Sequence, residues 1–365
     1  MAIVFLILTI AGAAYLALAL SCVVTFGRRP FDSVDDELAP SVTILKPVAG
    51  LERDLYENLA SFCDQDYPRY EVVFCLHSAD DLAGDVIARV MRNFPNCRAR
   101  VAIGHNETIA NPKIANLVKP GVEPFAEIVA VVDSDIRVGR DYVRTIAGSF
   151  ASERVGAVTC LYRGLPNQTV VSHLGALYVE DGFAPSVLVA ATIGKLRFCL
   201  GATMAVRRDV LYKIGGFEAL GAYLADDHAL GELVTKNGFE VELSRYVVRT
   251  TIPETQLDRL WSHELRWART NKAQAPAGYF FSFVMYALPL ALIYLALARN
   301  LLALAILALV LLLRLALHYA ARWAFGIEHV DGIWFVPVRD CLSLGLWAAS
   351  LFGRTVRWRT ETYRA

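Results

Sequence analysis

Residues 2–26, AIVFLILTIAGAAYLALALSCVVTF, carry no charged side chain. A run of that length has one low-energy form in a bilayer: a helix rising 1.5 Å per residue across about 30 Å of hydrocarbon, its backbone groups satisfied internally. A cleaved leader would place basic residues before a shorter apolar core, whereas here Arg28 and Arg29 follow the run. By the positive-inside rule those arginines put the next segment in the cytoplasm and the N-terminus outside. The expectation is an integral membrane protein: a helix over 1–27, then a polar linker over 28–40 that holds Asp32, Asp35, Asp36 and Glu37.

Composition narrows the partners. Of the 365 residues, 36 are Lys or Arg and 36 Asp or Glu, so the net charge is zero and no nucleic-acid partner is indicated. The seven cysteines are scattered, odd in number and without a CxxC pair, which argues against a disulfide framework and structural zinc and fits a reducing compartment.

From Ser41 to Ala277 apolar strands alternate with amphipathic helices. Strands are expected at Ser41–Pro47, Tyr70–Leu76, Arg98–Ile103 and from Ile128, with helices over Leu51–Cys63 and Asp85–Phe94. Repeated strand–helix–strand units imply an α/β layered domain with a mostly parallel sheet and right-handed crossovers. The fourth strand, Ile128-Val129-Ala130-Val131-Val132, runs straight into Asp133-Ser134-Asp135. In open α/β sheets ligands bind beyond the carboxyl ends of the strands, and two hard oxygen ligands at i and i+2 suit Mg²⁺ or Mn²⁺ carrying nucleotide phosphates. The plainer alternative is a turn or a helix cap near Asp141. A second acidic strand end, Asp80-Asp81, can face the same crevice.

Four further stretches stand out. Asn111-Pro112-Lys113-Ile114 places a lysine after a proline-fixed turn, in reach of a diphosphate or simply solvated. Cys199–Asp209 reads as a small-residue strand followed by a basic helix start, its small residues letting a ligand approach the backbone, and Gly215-Gly216-Phe217 ends that helix in a turn. Asp226-Asp227 precede a helix, as N-cap or as general base. On a helix expected over Gln256–Asn271, His263, Arg266 and Trp267 share one face, fit to grip a phosphate and a sugar or to anchor at the membrane interface. No G-x-G-x-x-G and no Walker lysine motif occurs, which removes support for dinucleotide redox chemistry and P-loop phosphoryl transfer.

Taken together, Asp80-Asp81, Asp133-Ser134-Asp135, Asp226-Asp227 and Arg266-Trp267 resemble the motif set of the processive-type, inverting GT-A glycosyltransferases. Lys46-Pro47, Asp66-Tyr67-Pro68-Arg69-Tyr70-Glu71-Val72, Asn111-Pro112-Lys113-Ile114 and Asp133–Val138 are, more narrowly, similar to ceramide glucosyltransferase and its bacterial relatives. The likeness runs from about Ser41 to Lys272 and includes the membrane layout. The family's last motif usually begins with Gln or Arg, where this chain has His263.

The resemblance implies a Rossmann-like GT-A domain over 41–277 that transfers a sugar from a UDP-sugar to a lipid hydroxyl with inversion, glucose from UDP-glucose to ceramide. N-acetylglucosaminyl transfer to a hopanoid, or transfer to another glycolipid acceptor, is the alternative. It also implies that Lys46, Asp81, Lys113, Asp133 and His263 hold the nucleotide sugar, that Asp133 and Asp135 hold a divalent cation (Mg²⁺ or Mn²⁺), that Asp227 is the base, and that Arg266 and Trp267 serve catalysis. The bilayer is the expected partner, the bacterial inner membrane in the case of the bacterial relatives. A polysaccharide synthase would need more spans; a non-catalytic scaffold would not need the acidic set.

Within 278–353, the uncharged segment Tyr279–Ala298 and Asn300–Ala321, with Arg314, read as spans, and Ile333–Phe352 reads as a third interrupted by Arg339-Asp340. Three full crossings would put the C-terminus outside, against the basic tail 354–365 with Arg354, Arg357, Arg359 and Arg364. One segment is therefore expected to be re-entrant, the one carrying Arg339-Asp340.

Overall fold

The computed structural model describes residues 1–119, 122, 126–330, 332–352, 355–358 and 361–364. Its chain divides into an α/β unit, Arg29–Tyr162 with Ile193–Thr251, and a helical unit, Met1–Arg28 with Arg163–Thr192 and Ile252–Ala365.

Order along the chain is α1 (Ala2–Arg28), β1 (Val42–Val48), α2 (Leu55–Cys63), β2 (Tyr70–Leu76), α3 (Ala83–Asn93), β3 (Ala99–Ile103), α4 (Pro112–Ala115), β4 (Ile128–Val131), β5 (Ile136–Arg137), α5 (Tyr142–Gly148) and β6 (Val155–Leu165). Then come α6 (Val170–Leu177), a π-helical turn (Tyr178–Phe183), α7 (Ala184–Ile193), β7 (Met204–Arg207), α8 (Arg208–Lys213), α9 (Asp226–Lys236), β8 (Glu240–Thr251), α10 (Leu257–Gln274), α11 (Pro276–Phe281), α12 (Ala287–Ala298), α13 (Leu301–Phe325) and α14 (Val336–Leu351).

In the α/β unit eight strands form one mixed sheet in the order β3-β2-β1-β4-β7-β6-β8-β5. The β3-β2-β1-β4 half is parallel, with Ile44 opposite Val72 on one side and Ala130 on the other. β7 then pairs antiparallel with β4 and β6, and β5 antiparallel with β8. The parallel half follows from its residues: β1, β2 and β4 are near-continuous apolar runs, the pattern of strands covered on both faces. Ile44, Val72, Phe74 and Ala130 join Leu59 and Phe62 of α2 and Ile87 of α3 in one buried core. Chain order reverses between β1 and β4, since β2 and β3 build out to one side of β1 and β4 lies on the other. Ligand crevices form at such a switch point. Asp133 and Asp135 follow β4 directly beyond it.

Among the described residues of the helical unit three helices are long and apolar enough to cross a membrane: α1, the rod Val170–Ile193 and α13. Pro276–Met285 and Ala287–Ala298 make a fourth candidate, bent by 60° where they meet at Tyr286. α1 lies against α12 and α13: Phe26 meets Phe325 edge-on at 6.0 Å, and a Cβ on Gly12 would stand only 2.7 Å from the Ala287 Cβ. α14 has 16 residues, a rise of about 24 Å that falls short of the hydrocarbon thickness. It carries the Arg339-Asp340 pair for which the sequence reading expects a re-entrant segment.

Strands β9 (Thr355–Trp358) and β10 (Glu361–Arg364) pair antiparallel. Arg354 and Arg359 of the expected basic tail lie outside the described residues, as do the side chains of Arg357 and Arg364.

Candidate active site

The acidic turn after β4 is fixed from three sides. Beneath it, Lys46 is fully buried on β1, sits 4.0 Å over the Phe62 ring and donates to the Asp133 carbonyl. Burial pulls its ammonium down to about 7, although Asp135 and Asp133 oppose that shift. From the side, the Thr250 hydroxyl of β8 donates to Asp135 Oδ2 at 2.9 Å and the Thr251 N–H to the Asp135 carbonyl at 3.1 Å. In front, Ser134 Oγ donates to Glu52 Oε2 at 2.6 Å. Asp133 keeps 40% of its side chain exposed. Burial, then repulsion from Asp133, raises the Asp135 carboxyl to about 7.

Lys113 reaches this turn because its own turn is capped. Asn111 accepts from the N–H groups of Lys113 and Ile114 at 2.9 and 3.2 Å, with Pro112 as the first helical residue. The same Asn111 donates to the Tyr223 carbonyl at 2.9 Å and so ties the lysine to the segment that leads into α9. Lys113 Nζ stands 2.8 Å from Asp133 Oδ1 and 3.2 Å from Asp226 Oδ2. Burial alone would lower its ammonium, but Asp133 and then Asp226 outweigh burial and hold it above its ordinary value.

At the start of α9, Ala225 is the N-cap residue and makes no side-chain cap bond, while Asp226 and Asp227 occupy the first turn and Asp227 satisfies one of its free N–H groups. Asp227 Oδ2 accepts the Gly201 N–H at 3.0 Å, and Oδ1 the His228 N–H at 2.8 Å. Two features seat this helix end: the Cys199 N–H donates to the Asp227 carbonyl at 3.1 Å, and Gly231 leaves room for the Phe198 backbone, which a Cβ would strike. Burial first, then Asp226, raises the Asp227 carboxyl to about 6, against the pull of Lys113 and the His228 N–H.

Gly201 closes the arrangement. A Cβ there would lie 3.2 Å from Asp133 Oδ2, 3.6 Å from Asp227 Oδ2 and 3.9 Å from Lys113 Nζ, so the missing side chain is the open centre of the site. Gly201→Ala is expected to lower transfer about 10-fold or more through displacement of Asp133, with the melting temperature within about 2 °C of wild type. Unchanged kinetics in that variant would mean that Gly201 does not border the reacting groups.

The residues fit a divalent cation. Carboxylates of Glu52, Asp133, Asp135, Asp226 and Asp227 outnumber the ammoniums of Lys46 and Lys113, and a bound cation would offset the burial and the repulsion from Asp133 that raise the Asp135 carboxyl. Among the described residues no three of His, Cys, Asp and Glu form a ready metal cage. A Mg²⁺-type site of one or two carboxylates completed by substrate phosphates and water suits that donor set.

Asp81 is turned to another task. Both its oxygens accept the Gly50 N–H at 3.0 Å and Oδ1 the Ala83 N–H at 2.9 Å, which fixes the loop after β1 to the start of α3. His263, Arg266 and Trp267 belong to α10 in the helical unit: His263 Nδ1 is 2.6 Å from Glu254 Oε1, its ring is 4.3 Å from that of Trp267, and Trp267 stacks on Tyr178 at 6.0 Å. Lys113, Asp133 and Asp227 thus converge around Gly201, Lys46 and Asp135 support the acidic turn, Asp81 holds the neighbouring loop, and within the helical unit the His263 and Trp267 rings meet on α10, with Arg266 on the same helix. Glu52 and Thr250 are additions from the structure, and Asn111 and Gly201, both in stretches singled out in the sequence, gain their partners there.

A switch-point crevice of this kind, in a chain that also carries apolar membrane-length helices, defines a glycosyltransferase of the GT-A type. The chain belongs to glycosyl transferase family 21, whose model matches residues 4–365. It is 26% identical over 246 residues to ceramide glucosyltransferase 3 of Caenorhabditis elegans, a match over 66% of this chain and 53% of that one. It is 30% identical over 162 residues to the ceramide glucosyltransferase of Gibberella zeae, over 41% of this chain and 31% of that one. The chain spans about half the length of the nematode relatives. In fold it is similar to the mannosyltransferase PcManGT of Pyrobaculum calidifontis, solved with GDP-Man and Mn²⁺, with a TM-score of 0.62 and 19% identity over 96% of this chain and 99% of that one.

Proposed function

We propose that the chain transfers glucose from UDP-glucose to the primary hydroxyl of ceramide, with inversion, at the cytoplasmic face of a membrane. Asp227 carries the proposal: it is a half-buried carboxylate at a helix start, held by two backbone N–H groups, with a pKa raised to about 6 beside the acidic turn. A base poised near neutral pH takes the acceptor's proton as its oxygen bonds to the anomeric carbon and the bond from that carbon to the phosphate oxygen breaks. The displaced UDP leaves with that electron pair, and one displacement inverts the centre.

Asp133 and Asp135 would hold a divalent cation, which when bound supplies charge neutralisation at the diphosphate. Lys113 balances Asp133 and Asp226 and so keeps Asp227 the carboxylate that takes the proton. Lys46 stiffens the turn from below. Asp81 sets the loop against which the uridine would rest, and His263, Arg266 and Trp267 are assigned to the departing diphosphate by resemblance. The family membership and the ceramide glucosyltransferase relatives support a lipid acceptor, and Arg28 and Arg29 support the cytoplasmic placement.

The experiment offers purified full-length protein in detergent UDP-glucose, UDP-galactose, UDP-glucuronic acid and UDP-N-acetylglucosamine against ceramide, diacylglycerol and a hydroxylated hopanoid, with products read by mass. Glucosylceramide is expected, abolished by EDTA and restored by Mn²⁺ or Mg²⁺. Transfer to none of the lipids refutes the acceptor class; transfer indifferent to chelator refutes the cation.

A further inference from the structure

Two cysteines of the α/β unit, Cys63 and Cys97, meet at the amino ends of the parallel strands, the end of the sheet opposite the one that carries Asp133 and Asp135. Cys63 is the last residue of α2. Cys97 lies on the turn between α3 and β3, its N–H donating to the Phe94 carbonyl at 3.0 Å. Register brings Tyr70 to both. Val72 of β2 pairs with Ala99 of β3, and the Val72 N–H donates to the Arg98 carbonyl at 2.9 Å, so Tyr70 and Cys97, each two residues upstream, are neighbours at the strand starts. The Tyr70 hydroxyl donates to the Cys63 carbonyl at 3.0 Å. Tyr70 and Cys97 pack against the core that contains Cys63, and the Cys63 S–H donates to the Cys97 sulfur.

Two thiols in contact can be no more than small apolar side chains filling a core. The difference between these two argues for more. Cys63 is buried, whereas Cys97 is partly exposed. The bond from Cys63 holds the Cys97 thiol below its ordinary value, with burial opposing and the Tyr70 hydroxyl adding to the effect. That same bond, and then burial, pushes Cys63 up. An accessible cysteine inclined to ionise, with a second thiol beside it, is the arrangement that hydroperoxides oxidise selectively.

We propose that Cys97 and Cys63 are a peroxide-responsive pair, Cys97 the reacting thiol and Cys63 the one that resolves it into a disulfide. The Cys97 thiolate attacks one peroxide oxygen: an S–O bond forms, the O–O bond breaks, and the departing hydroxide takes up the proton that Cys97 released. The Cys63 sulfur then attacks the Cys97 sulfenic acid. The S–S bond forms, the S–O bond breaks, and the second hydroxide leaves as water with the Cys63 proton. Two thiols lose two electrons and two protons, and hydrogen peroxide becomes two waters. The bridge ties the end of α2 to the start of β3 and spares Cys97 oxidation to the irreversible sulfinic acid. In a reducing compartment it is transient. Neither step involves a nucleotide sugar or a lipid.

Full-length protein in detergent is treated with hydrogen peroxide near neutral pH, alkylated under denaturing conditions and peptide-mapped without reductant. The expected product is a Cys63–Cys97 disulfide that dithiothreitol reverses, formed about 10-fold faster than any oxidation of Cys341, which is exposed. In Cys63→Ser, Cys97 should stop at the sulfenic acid, which dimedone captures. In Cys97→Ser, Cys63 should stay a thiol. Cys341 oxidised while Cys97 remains a thiol overturns the proposal, as does Cys97 carried to the sulfinic acid with Cys63 still reduced. Wild-type protein alone separates these outcomes, so a misfolded variant leaves the test standing.

Discussion

Asp227→Asn is expected to reduce turnover about 10²- to 10⁴-fold while UDP-glucose still binds, the range that a positioned general base contributes. Asn keeps the shape but cannot accept the proton, and its NH₂ must face one of the two N–H groups now donating to the carboxylate, from Gly201 or His228. The lost bond costs about 1 kcal/mol, small against the fold. The wild-type rate carries the matching signature. Burial and Asp226 place the carboxyl near 6, so protonation below that pH disables the base: turnover falls as pH drops from 7 to 5 and is flat above. In Asp227→Asn this acidic limb disappears together with the rate. Steady-state rates across that window, beside equilibrium UDP-glucose binding, check both parts, and wild-type turnover in the variant ends the assignment.

Arg314→Met is expected to have the largest effect on stability. Arg314 is 5% exposed on α13 and compensates Asp181 and Asp340, themselves 5% and 7% exposed. Its removal leaves buried carboxylates unbalanced, a loss of about 3–5 kcal/mol. The melting temperature of the detergent-purified protein, followed by intrinsic fluorescence, should fall by on the order of 10 °C. Adding Asp340→Leu should recover part of it, because an apolar replacement of a whole ion pair is often neutral or better. A single variant that melts with wild type would show that the carboxylates find other partners.

Local signals carried the parallel half of the sheet. Apolar runs such as Val72-Val73-Phe74 and Ile128–Val132 announce buried strands on their own, and Asp133 and Asp135 stand at a strand end that any α/β sheet exposes. Asn111-Pro112 announces a capped turn. Of the antiparallel half only β7 showed itself, in the small-residue strand expected within Cys199–Asp209; β6 and β8 mix Thr, Arg and Tyr with apolar residues, and their places depend on partners far along the chain. For the same reason Thr250 could not be paired with Asp135, nor Gly201 with Asp227. The rod Val170–Ile193 hid from a hydropathy reading because His173, Glu180 and Asp181 interrupt it. Their compensation comes from Arg314, His318 and His329, more than a hundred residues onward. The resemblance assigns Asp81 to the nucleotide; its hold on the Gly50 and Ala83 N–H groups, which sets the loop after β1, was not legible in the sequence.

The path of the chain through the two units bears on how the protein is made. α1 leaves the ribosome long before α12 and α13, the helices it lies against. Until those arrive its inward face, with Gly12 and Phe26, lacks them as neighbours. The α/β unit is itself interrupted by the rod Val170–Ile193, so β7, which pairs with β4, is synthesised only after that rod has been placed. No single proteolytic cut or early stop codon can release the sheet intact. To express the α/β unit alone with its strands whole, residues 166–192 would have to be excised and Leu165, the end of β6, rejoined to Ile193.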